Sequence, residues 1–384
     1  MVVAFPFIDV KIDTSALTPV ARRSAGVLAI VGVSAEGTAA LGIPEAVTSD
    51  AEVATKFGAA TLLGRSLSVA LAQEPGPDTV YGVKVAADAK AVGLTALESF
   101  KDVTFVTLAQ TFATVGGALG ADFTALSQHC DDMSRQGLKR MGVVALNPAV
   151  AADGSADPVD AQIGLVDPAL RSATGRLILV AARGAQDAAG TVVDIAAAAA
   201  AAIAGLPVAT SVVLKRVSGF IIPKAQQYRP SEITTLARAA ILPIIRPALI
   251  PGESLHFGDG MTFSSNPAVG YVDTVRLLDD LDFALKAALI GTIGDARITR
   301  SGLRFIVQRA GGVLDRYVLA GGVDSWQIDV PLLAILDTPE AQRSQAQTDV
   351  ITSARAERLV EMTVIAVLGP QVHRISLTLK PTFA

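Results

Sequence analysis

The sequence predicts an α/β protein: a doubly wound, mostly parallel sheet with helices on both faces, then an α+β C-terminal domain, with an extended strand arm at each end. Three observations carry this. From residue 24 to about 217, short β-branched apolar runs alternate with helix-like stretches. Beyond residue 230 the rhythm breaks at Pro243, Pro247 and Pro251, and a long amphipathic stretch follows. The ends themselves read as strands. Ile8, Val10 and Ile12 alternate with Asp9, Lys11 and Asp13, and Ile375, Leu377 and Leu379 alternate with Arg374, Ser376, Thr378 and Lys380. Residues 1–20 are thus an N-terminal linker arm, 21–265 the α/β domain, and 266–384 the C-terminal domain ending in a strand arm.

In chain order, Ser24 to Val33 is a buried strand bounded by glycine. A loop containing Gly37, Gly42 and Pro44 leads to a helix over 51–57, with Ser49 or Asp50 as its N-cap and Gly58 as its stop. A second helix covers Leu62 to Gln73, and Thr79 to Val85 is a strand. Val103 to Leu108, Arg140 to Leu146 and Arg176 to Ala182 are further strands, with helices at Asp122 to Gln136 and at about 191–204. That last helix is an alanine run too weakly apolar to span a membrane, so it is read as buried.

Glu232 to Ile241 is helical, and 242–260 is largely irregular or extended. The strongest helix runs from about Thr274 to Thr292, with Leu278, Leu281, Leu285, Ala288 and Leu289 on its apolar stripe. Ser301 to Ala310 is helical and is expected to stop at Gly311-Gly312. Trp326 to Leu336 reads as a strand interrupted by Pro331, and polar residues fill 339–358. Two strands, Val360 to Leu368 and Val372 to Lys380, end the chain; Pro381 has no N–H for a ladder.

The 384 residues are 51% hydrophobic and 18% charged, which excludes a disordered chain. A net charge of −4 with scattered basic residues gives no footprint for nucleic acid. No signal peptide and no membrane span are expected, and the lone Cys130 excludes an intrachain disulfide, as suits a reducing cytoplasm.

Catalytic chemistry finds little to stand on. His129, His256 and His373 have no metal-ligand spacing. His129 and Cys130 are adjacent, and neighbours on a helix point about 100° apart. The glycines at 32–42 and 116–120 fit neither a phosphate loop nor a dinucleotide turn. Asp279, Asp280 and Asp282 lie near a helix start, where they complement its dipole and face solvent or a basic neighbour. No catalytic residue, metal or cofactor is expected.

Taken in order, the residues resemble the contractile tail sheath proteins of bacteriophage tails and related injection systems. The resemblance rests on the extended N-terminal arm, Ala25-Gly26-Val27 leading into Val31-Gly32, and Gly37, Pro44 and Val47-Thr48-Ser49 before Phe57-Gly58. It continues through Ala202 to Gly205, Lys215 to Gly219, Tyr271 to Arg276, Gly311-Gly312 and the terminal strand pair. It covers most of the chain, and order and spacing carry it rather than one motif. The resemblance implies a subtilisin-like middle domain and no outer protruding domain, since the chain is short for the family.

It also implies self-association into six-fold stacked rings around an inner tail tube protein, with baseplate and terminator or cap proteins at the ends. Assembly would take place in the bacterial cytoplasm, without nucleic acid and without membrane insertion. The arms would add strands to a neighbour's sheet, burying Ile8, Val10 and Ile12 from one end and Ile375, Leu377 and Leu379 from the other. Asp9 and Asp13 would face Arg374 and Lys380, at roughly 0.2–1 kcal/mol per cross-strand pair. Asp279, Asp280 and Asp282 are a candidate patch toward the tube or a neighbour. Two alternatives are an α/β enzyme with an unrecognised site and another ring-forming tail or baseplate protein.

Overall fold

The computed structural model describes residue 24 and residues 26–113, 118–149 and 171–374. The arm residues Ile8, Asp9, Val10, Ile12, Asp13, Ile375, Leu377, Leu379 and Lys380 lie outside them. The chain divides into two compact units. Of the described residues, the larger holds those from Ser24 to Asp282, Tyr317–Ser325 and Ala366–Arg374; the smaller holds Phe283–Arg316 and Trp326–Ile365.

In the larger unit the elements are β1 (Val27–Val33), β2 (Pro44–Val47), α1 (Asp50–Phe57), α2 (Leu62–Leu71), β3 (Thr79–Val85), α3 (Lys90–Ala96), β4 (Phe105–Ala113) and α4 (Ala118–Arg135). They continue with β5 (Met141–Leu146), β6 (Leu177–Ala181), α5 (Ile195–Ala204), β7 (Arg216–Val217), α6 (Pro230–Arg238), β8 (Leu242–Ile245) and β9 (Leu255–Phe257). The strands form one sheet in the order β2-β3-β1-β4-β5-β6-β8-β9-β7. From β3 to β8 every pairing is parallel, while β2, β9 and β7 join antiparallel at the margins.

The period of two in β1 distributes its side chains to two hydrophobic layers. Leu28 and Ile30 pack with Val53, Phe57, Leu63, Leu67 and the whole of α5. Val27, Ala29 and Val31 pack with Leu94, Leu97, Phe123, Leu126 and Leu236. Helices therefore cover both faces, as a buried parallel sheet requires. Helix α5 is buried from end to end because methyl side chains let the backbone come close. A Cβ on Gly26 would stand 2.5 Å from the Ala204 carbonyl oxygen.

Helix starts follow the expected chemistry. Ser49 accepts from the Glu52 N–H at α1, Thr61 from Gly64 at α2, and Asp194 from Ala196 and Ala197 at α5. Gly58 closes α1 at φ 76, a left-handed value that costs glycine little.

Several elements differ from expectation. The predicted loop around Pro44 is an edge strand, since proline is tolerated where no ladder N–H is required. The stretch 242–260, expected to be irregular or extended, contains the short strands β8 and β9 among loops; Pro243 gives no N–H, but its carbonyl accepts from Gly258 at 2.7 Å. Helix α3 is not expected from the sequence, because it is short and contains Gly93, whose Cβ would stand 2.4 Å from Val31.

The long helix is α7 (Val272–Leu289). Up to Asp282 its buried residues include Val272, Val275, Leu277 and Leu281, whereas Leu278, expected on the apolar stripe, is exposed. The stripe is turned because Arg276 and Asp279 occupy inward positions with polar partners of their own.

The smaller unit draws on α8 (Arg300–Leu319), β10 (Val323–Asp329), α9 (Pro331–Asp337), α10 (Gln345–Glu357) and β11 (Thr363–Leu368). Its core is Leu303, Val330, Leu332, Leu336 and Ile351. Helix α8 does not stop at Gly311-Gly312, because the Trp326 indole occupies the space a Cβ at Gly311 would need, 2.9 Å away. The run expected as one strand through Pro331 is β10 followed by α9, with proline in the first helical turn where its missing N–H costs nothing. The polar stretch 339–358 contains α10, started by a Ser344–Gln347 capping box; a single buried residue, Ile351, leaves little periodic signal.

Candidate assembly surfaces

The buried charged groups of the larger unit fasten backbone to backbone. Arg183 meets Glu232 at 2.8 and 3.2 Å and donates to the Gln226 and Gln227 carbonyls, with its guanidinium over the Tyr228 ring. Burial alone would raise the Glu232 carboxyl, but hydrogen bonds from Arg183 and Arg229 outweigh it and hold the pKa at about 2. Arg276 donates to the Leu206 and Pro207 carbonyls, and burial brings its pKa down to about 10. Asp194 caps α5 and also accepts from Ser66 Oγ at 2.6 Å and Gln110 N–H at 2.8 Å. Gln110 sits at φ 48 in a break of the β4–β5 register, so Asp194 fixes that bulge in place.

The adjacent pair singled out by sequence, His129 and Cys130, is buried. Arg140 bonds His129 Nε2 at 2.8 Å and the Leu97 carbonyl, and burial beside this cation lowers the histidine to about 4. Burial pushes the Cys130 thiol up to about 12. His256 is buried in β9, and His373 bonds Ser211 Oγ at 2.8 Å. Among the described residues no group of three or more His, Cys, Asp and Glu is placed to hold a metal ion.

Asp279, Asp280 and Asp282 do not form one outward face. Asp279 is buried and takes two hydrogen bonds from Arg176, at 2.5 and 2.8 Å. Asp280 accepts from the Tyr317 hydroxyl at 2.5 Å, and both Asp280 and Asp282 are half-buried.

The approach to the C-terminal arm is held by side chains. Gln371 Nε2 donates to the Ala209 carbonyl at 2.7 Å, and the His373 ring stands edge-on to Tyr271 at 4.9 Å. Arg374, expected to face Asp9 or Asp13, stands 3.7 Å from Asp259 while remaining mostly exposed. Val372 to Arg374, expected as the start of a strand, carries no ladder.

Strands β10 and β11 pair with each other and make a separate two-stranded sheet. Its outer edges have no partner strand among the described residues. In β11, Thr363, Ile365 and Val367 are exposed while Val364, Ala366 and Leu368 are half-buried. In β10, Ser325, Gln327 and Asp329 are exposed, while Trp326 and Ile328 are half-buried. Trp326 donates from Nε1 to Asp315 at 2.9 Å. A two-stranded sheet is marginal alone in water, and unpaired edges are templates for another strand. Sequence reading found β11 and part of β10 but not their pairing, which joins residues about 40 apart across two intervening helices.

No family model and no curated protein sequence matches the chain. Solved structures do match. The chain is similar to the contracted sheath complex of an extracellular contractile injection system, with TM-score 0.67 and 13% identity over 100% of this chain and 99% of that one. It is similar to the contracted helical sheath of the anti-feeding prophage, with TM-score 0.64 and 13% identity over 99% and 100%. The sheath tail protein of Desulfitobacterium hafniense gives TM-score 0.60 and 12% identity over 84% and 93%. At such identity the likeness is one of fold.

Proposed function

We propose that the chain is the structural subunit of a contractile tail sheath. In this reading it polymerises into a helical tube around an inner tail tube and contracts to drive that tube through a target envelope. One observation carries the reading most directly: a separate two-stranded sheet whose edges are unpaired among the described residues, with an exposed β-branched face, in a chain whose two terminal segments alternate apolar and polar residues. An arm laid along a free edge would add main-chain hydrogen bonds and bury Ile365 and Val367. The shared fold of sheath proteins over nearly the whole chain supports the same reading.

The mechanism is mechanical. Arms 1–20 and 375–384 tether neighbouring copies while the bodies slide, and the residues fastened through Gln371 and His373 give the C-terminal arm a fixed origin. Asp9 and Asp13 of one arm pair with Lys380, and with Arg374 if it leaves Asp259. Of the acidic trio, Asp280 and Asp282 are the members with exposure to offer a tube or a neighbour. The parallel order β3-β1-β4-β5-β6, covered on both faces, supports a subtilisin-like description of the middle domain. Assembly is in the bacterial cytoplasm, as part of a phage tail or an injection-system particle with baseplate and terminator or cap proteins at its ends. No catalytic step and no cofactor is needed.

Negative-stain electron microscopy of the full-length protein beside a variant lacking residues 1–18 tests this. Striated hollow tubes from the intact chain, absent from the shortened one, are expected. A dispersed monomer in both samples would refute the reading.

A further inference from the structure

The smaller unit carries an exposed apolar knob and an exposed apolar groove, on different elements. Phe305 on α8 is 46% exposed, and the Arg309 guanidinium stacks over its ring at 5.3 Å. One turn beyond Arg309, Gly312 is exposed in mid-helix, and a Cβ there would meet nothing within 4 Å among the described residues. Glycine in a helix interior is unfavourable, and the packing of the described residues gives Gly312 no reason to be one. The backbone beside Phe305 and Arg309 is therefore open to close approach.

The groove lies along α9 and α10 and the residues that lead to β11. It has a volume of about 240 Å³, with Leu332, Val350, Ala354 and Leu359 among its lining residues. Val350 and Leu359 are about half exposed. Among the described residues the charged ones lining it are both acidic, Glu357 and Glu361, and both are exposed.

We propose that these two surfaces bind each other between copies of the chain: Phe305 of one copy enters the groove of the next, and Arg309 meets Glu357 and Glu361 at its rim. The volume is ample for a phenyl ring, and an arginine already stacked on that ring arrives where two carboxylates wait. Because the two patches differ, the contact is heterologous, so it repeats head to tail into a ring or an open helix rather than closing a two-fold dimer. It is independent of the terminal arms, and it rests on the proposed self-assembly only in requiring that copies meet. Each contact is weak, because its charges are exposed, and repetition along a lattice supplies the strength.

The test mixes two full-length variants, Arg309→Cys and Glu357→Cys, under mild oxidation; Cys130 is buried and makes no background. Covalent dimers joining one variant to the other, at least tenfold more abundant than in either variant alone, are expected. Phe305→Ala in the first variant should remove them, and Arg309→Glu should be rescued by Glu357→Arg with Glu361→Arg when assembly is read by sedimentation. Tubes that form without this crosslink would overturn the contact and leave the sheath reading intact. A crosslink in closed rings without tubes would uphold the contact and defeat that reading. A monomer without crosslinks overturns the contact as well.

Discussion

Arg176 and Asp279 face each other in a two-pronged ion pair, 2.5 and 2.8 Å long, with both side chains nearly nine-tenths buried. Removing one partner of such a pair leaves a charge stranded in a poor solvent. Asp279→Ala is expected to cost about 3 kcal/mol or more of unfolding free energy by denaturant titration. A role confined to the surface would predict a change within about 0.5 kcal/mol.

Acid stability should fall in two steps. His129 is held at about 4 against an ordinary value of 6.5, so the unfolded chain binds the extra proton first and stability drops as pH falls from 6.5 through 4. Glu232 is held at about 2 against 4.5, so its contribution is present above 4.5 and is lost as pH falls through 2. Thermal melts across this range should lose the upper step in His129→Gln and the lower one in Glu232→Gln. A single unchanged profile in both variants would contradict the assignment.

Cys130 should be silent in the native protein. Its thiol is fully buried with a pKa of about 12, so the thiolate that attacks a disulfide reagent is scarce and shielded. Ellman's reagent at pH 8 is expected to titrate one thiol in denaturant and to react at least a hundredfold more slowly without it. A fast native reaction would be incompatible with this packing.

Two adjacent glycines should give opposite results. Gly311→Ala places a methyl 2.9 Å from the Trp326 indole, so it should destabilise the smaller unit and shift the emission of the chain's one tryptophan. Gly312→Ala meets nothing among the described residues, and helix propensity alone should raise the stability of the isolated subunit by up to about 1 kcal/mol. Fluorescence and denaturation of the pair check this together.

The sequence by itself determined the elements whose stability is local. The cap Ser49, the stop at Gly58 and the β-branched runs of β1, β3, β5 and β6 all announce themselves within a few residues. It also marked α5 as buried, because an alanine run offers solvent nothing polar. Tertiary structure alone decided where distant partners were required. A tryptophan 15 residues away explains why α8 passes through Gly311, Arg176 explains why Asp279 turns inward, and capping rather than periodicity explains α10. Both candidate assembly surfaces, the β10–β11 pair and the groove beside α10, belong to this second kind. Strand pairing and concavity arise from residues brought together in space, and neither leaves a pattern in the order of the chain.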